Sequence, residues 1–413
     1  MEEKSLKIVG ADKNFFGRLS TKLTAMLIPT KVGINSMLIS MKRTSVIKAY
    51  ENSTKESKSN EAEELEKKFE TSYATYLEAI DKHVLDSIYK KVRNGSASEY
   101  EKNALSKYYE VTSLKENEYM EYKYRKQKYL MDLDFENIKQ SNKDKIKARY
   151  TNFYIDKMDT IYKAILKNYS IKLADTSNIY DSTKDWVYTK IFYTLDDYIQ
   201  NVLSLKVQNN LCNDDVKQEF TKYEKFTIGK LDNKDIIEKN IVVLGISRKL
   251  FTHSLPLVVA EQCYEKLLKD ARSLVQDTKI AVKRENAYAV LINTMEEYYV
   301  KLLSTKVYWD NQEKRQQYKS FYDKYKIVMQ LSEVNPKEFQ RQKEIFFIKY
   351  DIKNIEDSVI DYSQILKYYK RKLVDYDAIK ELKNSCKKVE GRFVKVRSRK
   401  VNVWFNIFGF RRK

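Results

Sequence analysis

Glycine and proline are scarce. The 413 residues include only 8 Gly and 3 Pro, and neither occurs between Gly95 and Gly229. Sandwiches and barrels need frequent turn residues, and α/β units need them at strand–helix junctions. Their scarcity argues against both and for long helices. Cysteine is rarer relative to its usual roles: Cys212, Cys263 and Cys386 are odd in number and far apart. That argues against a disulfide framework or a zinc site and suits a reducing compartment. The opening MEEKSLKIVGADK is polar and lacks the short apolar core of a secretory leader. The expected location is the cytoplasm, with peripheral attachment at the inner face of the membrane. Long apolar runs are also missing. The nearest, Leu23–Met41, is interrupted by Pro29, Lys31 and Asn35 and falls short of a span of roughly 18 apolar residues.

Material for a core is plentiful. Apolar residues make up 42 %, aromatics 13 %, and there are 33 tyrosines. Aromatics at this density bury enough surface to offset chain entropy, which argues against disorder over the whole length. The length suggests two or three domains of roughly 100–200 residues each.

The net charge of +20 is concentrated near the ends. Residues 14–49 contain Arg18, Lys22, Lys31, Lys42, Arg43 and Lys48 and no acid. Residues 383–413 contain eleven Lys or Arg and one acid, Glu390. The long middle is nearly neutral. Segregated positive charge points to an anionic partner at those ends. Lysine far exceeds arginine, and Asn, Ile and Tyr are common, a bias that an AT-rich coding sequence produces, as in low-GC bacteria and their mobile elements.

Helical periodicity runs through most of the chain. Phe15, Phe16, Leu19, Leu23, Met26 and Leu27 define one apolar face behind an Asn14 cap. Ile28-Pro29-Thr30 predicts a break. Ile34, Met37, Leu38, Met41 and Val46 then resume an apolar face, giving an amphipathic helix pair. Residues 51–63 read as a polar linker. The clearest helix spans 60–93, with Glu63–Lys67, Glu64–Lys68 and Asp86–Lys90 in the favourable i,i+4 order and Asn94-Gly95 as its stop. Ser98 to Glu101 has capping-box spacing and opens a helix to about 140. Further helices are expected at 144–169, 183–210, 213–225 behind an Asn213 cap, 256–281 and 283–330. Asn335-Pro336-Lys337-Glu338 starts another to about 351, and a last one covers 355–386. Tyrosines at core-like spacing suggest helix seams with hydroxyls at their edges. The expected fold class is mainly α: an elongated multi-helix bundle with coiled-coil-like hairpins, with a small β element near 241–246 or 392–405. The expected divisions are a basic amphipathic segment 1–50, a helical domain 51–225, a second helical domain 226–386, and a basic aromatic tail 387–413.

Signatures of catalysis or cofactor binding are absent from the sequence. His83 lies in a Glu/Lys-rich helix, and His253 sits beside Ser254 without an elbow motif. Thr227-Ile228-Gly229-Lys230 lacks the remaining elements of a phosphate-binding loop. No catalytic residue, metal ligand or cofactor is assigned, and a non-enzymatic role is expected.

The ends carry the strongest functional signal. Arg392, Lys395, Arg397, Arg399, Lys400, Arg411, Arg412 and Lys413 surround Trp404, Phe405, Ile407, Phe408 and Phe410. This is too apolar for a plain phosphate-binding arm. Left in water, each large side chain costs roughly 1.5–3 kcal/mol relative to burial. Phe15 and Phe16 with Arg18 and Lys22 have related chemistry. Aromatic anchors bracketed by cations suit an anionic lipid interface, and burial within the protein accounts for them equally well. The reading is a helical scaffold or adaptor docking on an anionic surface, membrane preferred. A nucleic-acid-binding protein of a bacterial mobile element or phage is the first alternative, and a hydrolase or transferase with dispersed acids the second. Helical seams also permit a protein partner or a homo-oligomer.

Overall fold

In the computed structural model the backbone is described for residues 15–55, 61–116, 118–139, 144–175, 181–251, 253–302 and 312–387. Side chains are described, with few exceptions inside helices, from Asn35 to Glu381. The protein is mainly α. Every regular element among the described residues is helical, and they form two compact units. Unit one holds the chain to Lys225 together with Val242–Ala260; unit two holds Phe226–Ile241 and the chain from Glu261.

Unit one begins with α1 (Phe15–Lys55) and α2 (Ala62–His83). α2 passes through a π-helical turn, Val84–Ile88, into α3 (Tyr89–Arg93). α4 (Glu99–Ser113), α5 (Tyr119–Lys139) and α6 (Asp144–Asp175) follow. α7 (Asp181–Tyr198) continues through a second π turn, Ile199–Leu203, into α8 (Ser204–Gln208). α9 (Asp214–Glu224) comes next. α10 (Asn233–Leu250) and α11 (Leu257–Asp277) each have residues in both units. α1 packs along α2, α2 on α5, and α6 on α1, α5 and α7. The aromatic centre is Phe153, fully buried, with Tyr50, Phe69, Tyr73, Tyr76 and Tyr150 around it at centroid distances of 5.5–6.4 Å. These spacings are favourable for edge-on aromatic contact.

Unit two is built from α12 (Ala281–Met295), which runs into a π segment, Glu296–Leu302, then α13 (Gln312–Met329), α14 (Leu331–Val334), α15 (Pro336–Glu356) and α16 (Ser363–Lys387). α15 packs on α12, α13, α14 and α16. Its centre is again aromatic: Phe321 meets Tyr350 at 4.5 Å and Phe346 at 5.0 Å, and Tyr325 meets Phe347 at 5.2 Å.

The helix-start chemistry operates as the sequence implies. Ser98 Oγ accepts from the Glu101 amide at 3.2 Å while Glu101 Oε2 accepts from the Ser98 amide at 2.9 Å. Asn213 Oδ1 caps Val216 and Asn335 Oδ1 caps Glu338, with Pro336 in the first turn. Gly95 ends α3 with φ +70, where a side chain is strained.

Several expectations are corrected. α1 does not break at Pro29; it is one helix from Phe15 to Lys55. A mid-helix proline forfeits one hydrogen bond at a cost of about 3 kcal/mol. That loss falls before the stripe Ile39, Val46 and Ile47, which is buried. The polar 51–63 stretch is correspondingly helical to Lys55. Residues 241–246 are not a strand but the middle of α10. Asp232 and Asp235 start that helix by reciprocal amide capping at 2.9 and 3.2 Å. Ile241, Val243, Leu244 and Ile246 are all buried, so the run is apolar on every side and shows no helical alternation. The second β candidate, 392–405, lies outside the described residues. The helix expected from Ser98 to 140 is two helices, interrupted between Ser113 and Tyr119.

Candidate docking surface

Basic α1 lies against α2 and the π turn Val84–Ile88, antiparallel to them. Asn35 Nδ2 donates to Ser87 Oγ at 3.1 Å near one end of the contact, and the Tyr50 ring meets Phe69 at 6.0 Å near the other. Val46 and Ile47 turn inward. Met37, Leu38 and Met41 do not, although the sequence grouped them with Val46. Met37 is 67 % exposed and Met41 61 %. α1 thus carries two apolar stripes. Ile39, Val46 and Ile47 are covered within the unit, and Met37, Leu38 and Met41 face water. A second apolar row beside a complete one is the signal that sequence reading passed over.

On the opposite helix, Leu85 and Tyr89 are also exposed. All five side chains lie within two helical turns of the Asn35–Ser87 contact. Lys42 on α1 and Arg93 on α3 lie about two turns from that contact, in opposite directions along the antiparallel pair, and neither has an ion-pair partner among the described residues. Lys90 and Lys91 are closer to neutral: Lys90 stands 4.0 Å from Asp86, and Lys91 binds Glu101 at 2.6 Å. The chemistry is large apolar groups with cations at the margin.

Phe15, Phe16, Arg18 and Lys22 occupy the first two turns of α1, with Arg18 and Lys22 one turn apart; their side chains lie outside the described residues. So do Arg392, Lys395, Arg397, Arg399, Lys400, Trp404, Phe405, Ile407, Phe408, Phe410, Arg411, Arg412 and Lys413. Among the described residues, no helix is long and apolar enough to cross a membrane.

Tyrosine hydroxyls, expected at seam edges, instead reach buried acids. Asp134, 1 % exposed, receives the Arg43 guanidinium on both oxygens, at 2.8 Å from Nε and 2.5 Å from Nη2. The Tyr76 hydroxyl donates to Asp134 Oδ2 at 2.5 Å and accepts from Tyr150 at 2.5 Å. Burial opposes the Arg43 charge, but Asp134 outweighs it and raises the Arg43 pKa. Burial holds the Tyr76 and Tyr150 phenols well above their ordinary value, so both stay donors. Unit two repeats the chemistry: Asp351, fully buried, takes Arg272 and, at 2.9 Å, the Tyr369 hydroxyl. In unit one Glu121 takes Arg125 at 2.5 Å together with the Tyr169 hydroxyl. Buried carboxylates satisfied in this way hold helices together.

His253 is exposed, and its neighbour Ser254 is buried with its carbonyl accepting from Ser170 Oγ at 3.1 Å. His83 is half-buried, and burial, followed by the Lys91 charge, lowers its pKa. Among the described residues, no three His, Cys, Asp or Glu side chains are placed to hold a metal ion. No protein-family model, curated protein or solved structure matches the chain.

Proposed function

We propose that this protein is a helical scaffold that docks on anionic membrane surfaces through its basic N-terminal helix. The observation that carries this reading is the water-facing stripe Met37, Leu38 and Met41 on a helix with no acid from residue 14 to 49. Side chains of this kind enter the headgroup boundary, and each cation near an anionic surface adds about 1 kcal/mol. The aromatic, basic residues 392–413 have the same chemistry and act with α1. The inner leaflet of a cytoplasmic membrane is the fitting surface.

The test is co-sedimentation of the full chain with vesicles of phosphatidylcholine alone and with 30 % phosphatidylserine, alongside duplex DNA. Binding that requires phosphatidylserine and is lost in Met37→Asp/Met41→Asp supports the reading. Binding to DNA alone, with affinity falling steeply as salt rises, replaces it with the nucleic-acid reading.

A further inference from the structure

Unit two contains a cleft of about 240 Å³ where the end of α11, the first turn of α12 and the start of α16 meet. Its polar lining is Gln276, Arg284, Gln364, Lys367, Tyr368 and Arg371. Three of these six carry positive charge and none is acidic. The near acid, Glu285, is occupied: it accepts from the Tyr368 hydroxyl at 2.6 Å and from Lys372 at 2.7 Å. Among the described residues Arg284 spends only Nε, on the Thr278 carbonyl at 2.7 Å, which leaves its other N–H groups to point elsewhere. Among the described residues, Lys367 and Arg371 have no ion-pair partner. Three cations lining one small cleft repel one another until an anion enters it.

Gln276 adds a second, independent feature. Its Nε2 donates to the Asp361 carbonyl at 2.7 Å, which fixes the amide orientation. Its Oε1 is buried and receives no hydrogen bond. A buried acceptor left empty is costly, so a ligand filling this cleft gains by bringing a donor as well as negative charge. The volume is below the usual range of roughly 300–1,000 Å³ for drug-sized ligands. That sets the scale at a small molecule.

We propose that this cleft is a binding site for a phosphate monoester carrying a neighbouring hydroxyl, with Arg284, Lys367 and Arg371 on the phosphate and Gln276 Oε1 accepting from the hydroxyl. Free polyol phosphates and the headgroup of lysophosphatidic acid, which keeps a free hydroxyl beside its phosphate, share this chemistry. The site is independent of the α1 surface and stands or falls separately.

Isothermal titration of the full chain with glycerol 3-phosphate, ethyl phosphate and glycerol tests it, in parallel with sedimentation on vesicles containing lysophosphatidic acid using a Met37→Asp/Met41→Asp background to silence α1. The expected order is glycerol 3-phosphate tighter than ethyl phosphate, which has no hydroxyl beside its phosphate, and no binding of glycerol. Arg371→Ala weakens glycerol 3-phosphate by about tenfold, the loss of one charge-assisted hydrogen bond, and Lys367→Ala/Arg371→Ala weakens it further. Both positions are exposed, so the fold survives the changes. If only the vesicles bind, and the double variant abolishes that, the source is the lipid. Absence of binding in both arms, or binding indifferent to Lys367 and Arg371, overturns the proposal.

Discussion

Arg43 and Asp134 form a two-pronged ion pair, 2.8 and 2.5 Å, between α1 and α5, with the carboxylate 1 % exposed. The pair joins the first long helix to the centre of unit one, because Tyr76 of α2 and Tyr150 of α6 complete the network. Replacing Arg43 by Met leaves Asp134 buried without its counter-charge. The expected loss is about 3–5 kcal/mol of unit-one stability. Asp134→Asn/Arg43→Met removes both charges and costs less than Arg43→Met alone. Thermal unfolding of the three proteins checks the order.

A carboxyl pair at the start of α5 makes stability depend on pH. The hydrogen bond to Glu121, then burial, raise the Glu118 pKa above its ordinary 4.5, and Lys172 at 2.8 Å opposes them. For Glu121, burial works upward, but hydrogen bonds from Glu118 and Tyr169 and the Arg125 charge prevail and lower it. Glu121 Oε2 is buried with no hydrogen-bond partner among the described residues, and a proton held on Glu118 provides the hydrogen bond between the two carboxyls. A raised folded-state pKa stabilises fully below the unfolded value and is lost as pH rises through the folded one. The Glu118 contribution is thus complete below pH 4.5 and declines above it. Glu121 contributes in the opposite sense, above 4.5, and loses that contribution as pH falls through its lowered value. Glu118→Gln removes the first dependence, and its amide N–H keeps a donor available to Glu121. Between pH 4 and pH 7 the melting temperature of Glu118→Gln therefore rises relative to the parent. A difference that is flat across this range contradicts the assignment.

The capping box at α4 is a local feature with a local cost. Ser98→Ala loses the hydrogen bond to the Glu101 amide and destabilises by about 1 kcal/mol. Ser98→Asp restores the acceptor and recovers most of it. Amide hydrogen exchange in the first turn of α4 reports the difference directly.

The parts legible in the sequence are those written in adjacent residues. Ser98 with Glu101, Asn213 with Val216, and Asn335 with Pro336 and Glu338 specify helix starts within four positions. Scarce Gly and Pro left mainly α as the remaining class. Asp134 was silent because its partners stand 91 and 58 residues away. The two stripes of α1 could not be separated, since Met41 and Val46 are equally apolar and only the packing of α2 decides which is covered. At 241–246 burial on every side erased the alternation that distinguishes a helix.

The most direct measurement of the docking account places a single tryptophan at Met41, with Trp186, Trp309 and Trp404 replaced by Phe, and titrates brominated phosphatidylserine vesicles while following emission. The account predicts water-exposed emission in buffer, a blue shift on binding, and quenching by bromines near the headgroup. Emission unchanged by anionic vesicles that the protein demonstrably binds would contradict it, because α1 would then be facing away from the lipid.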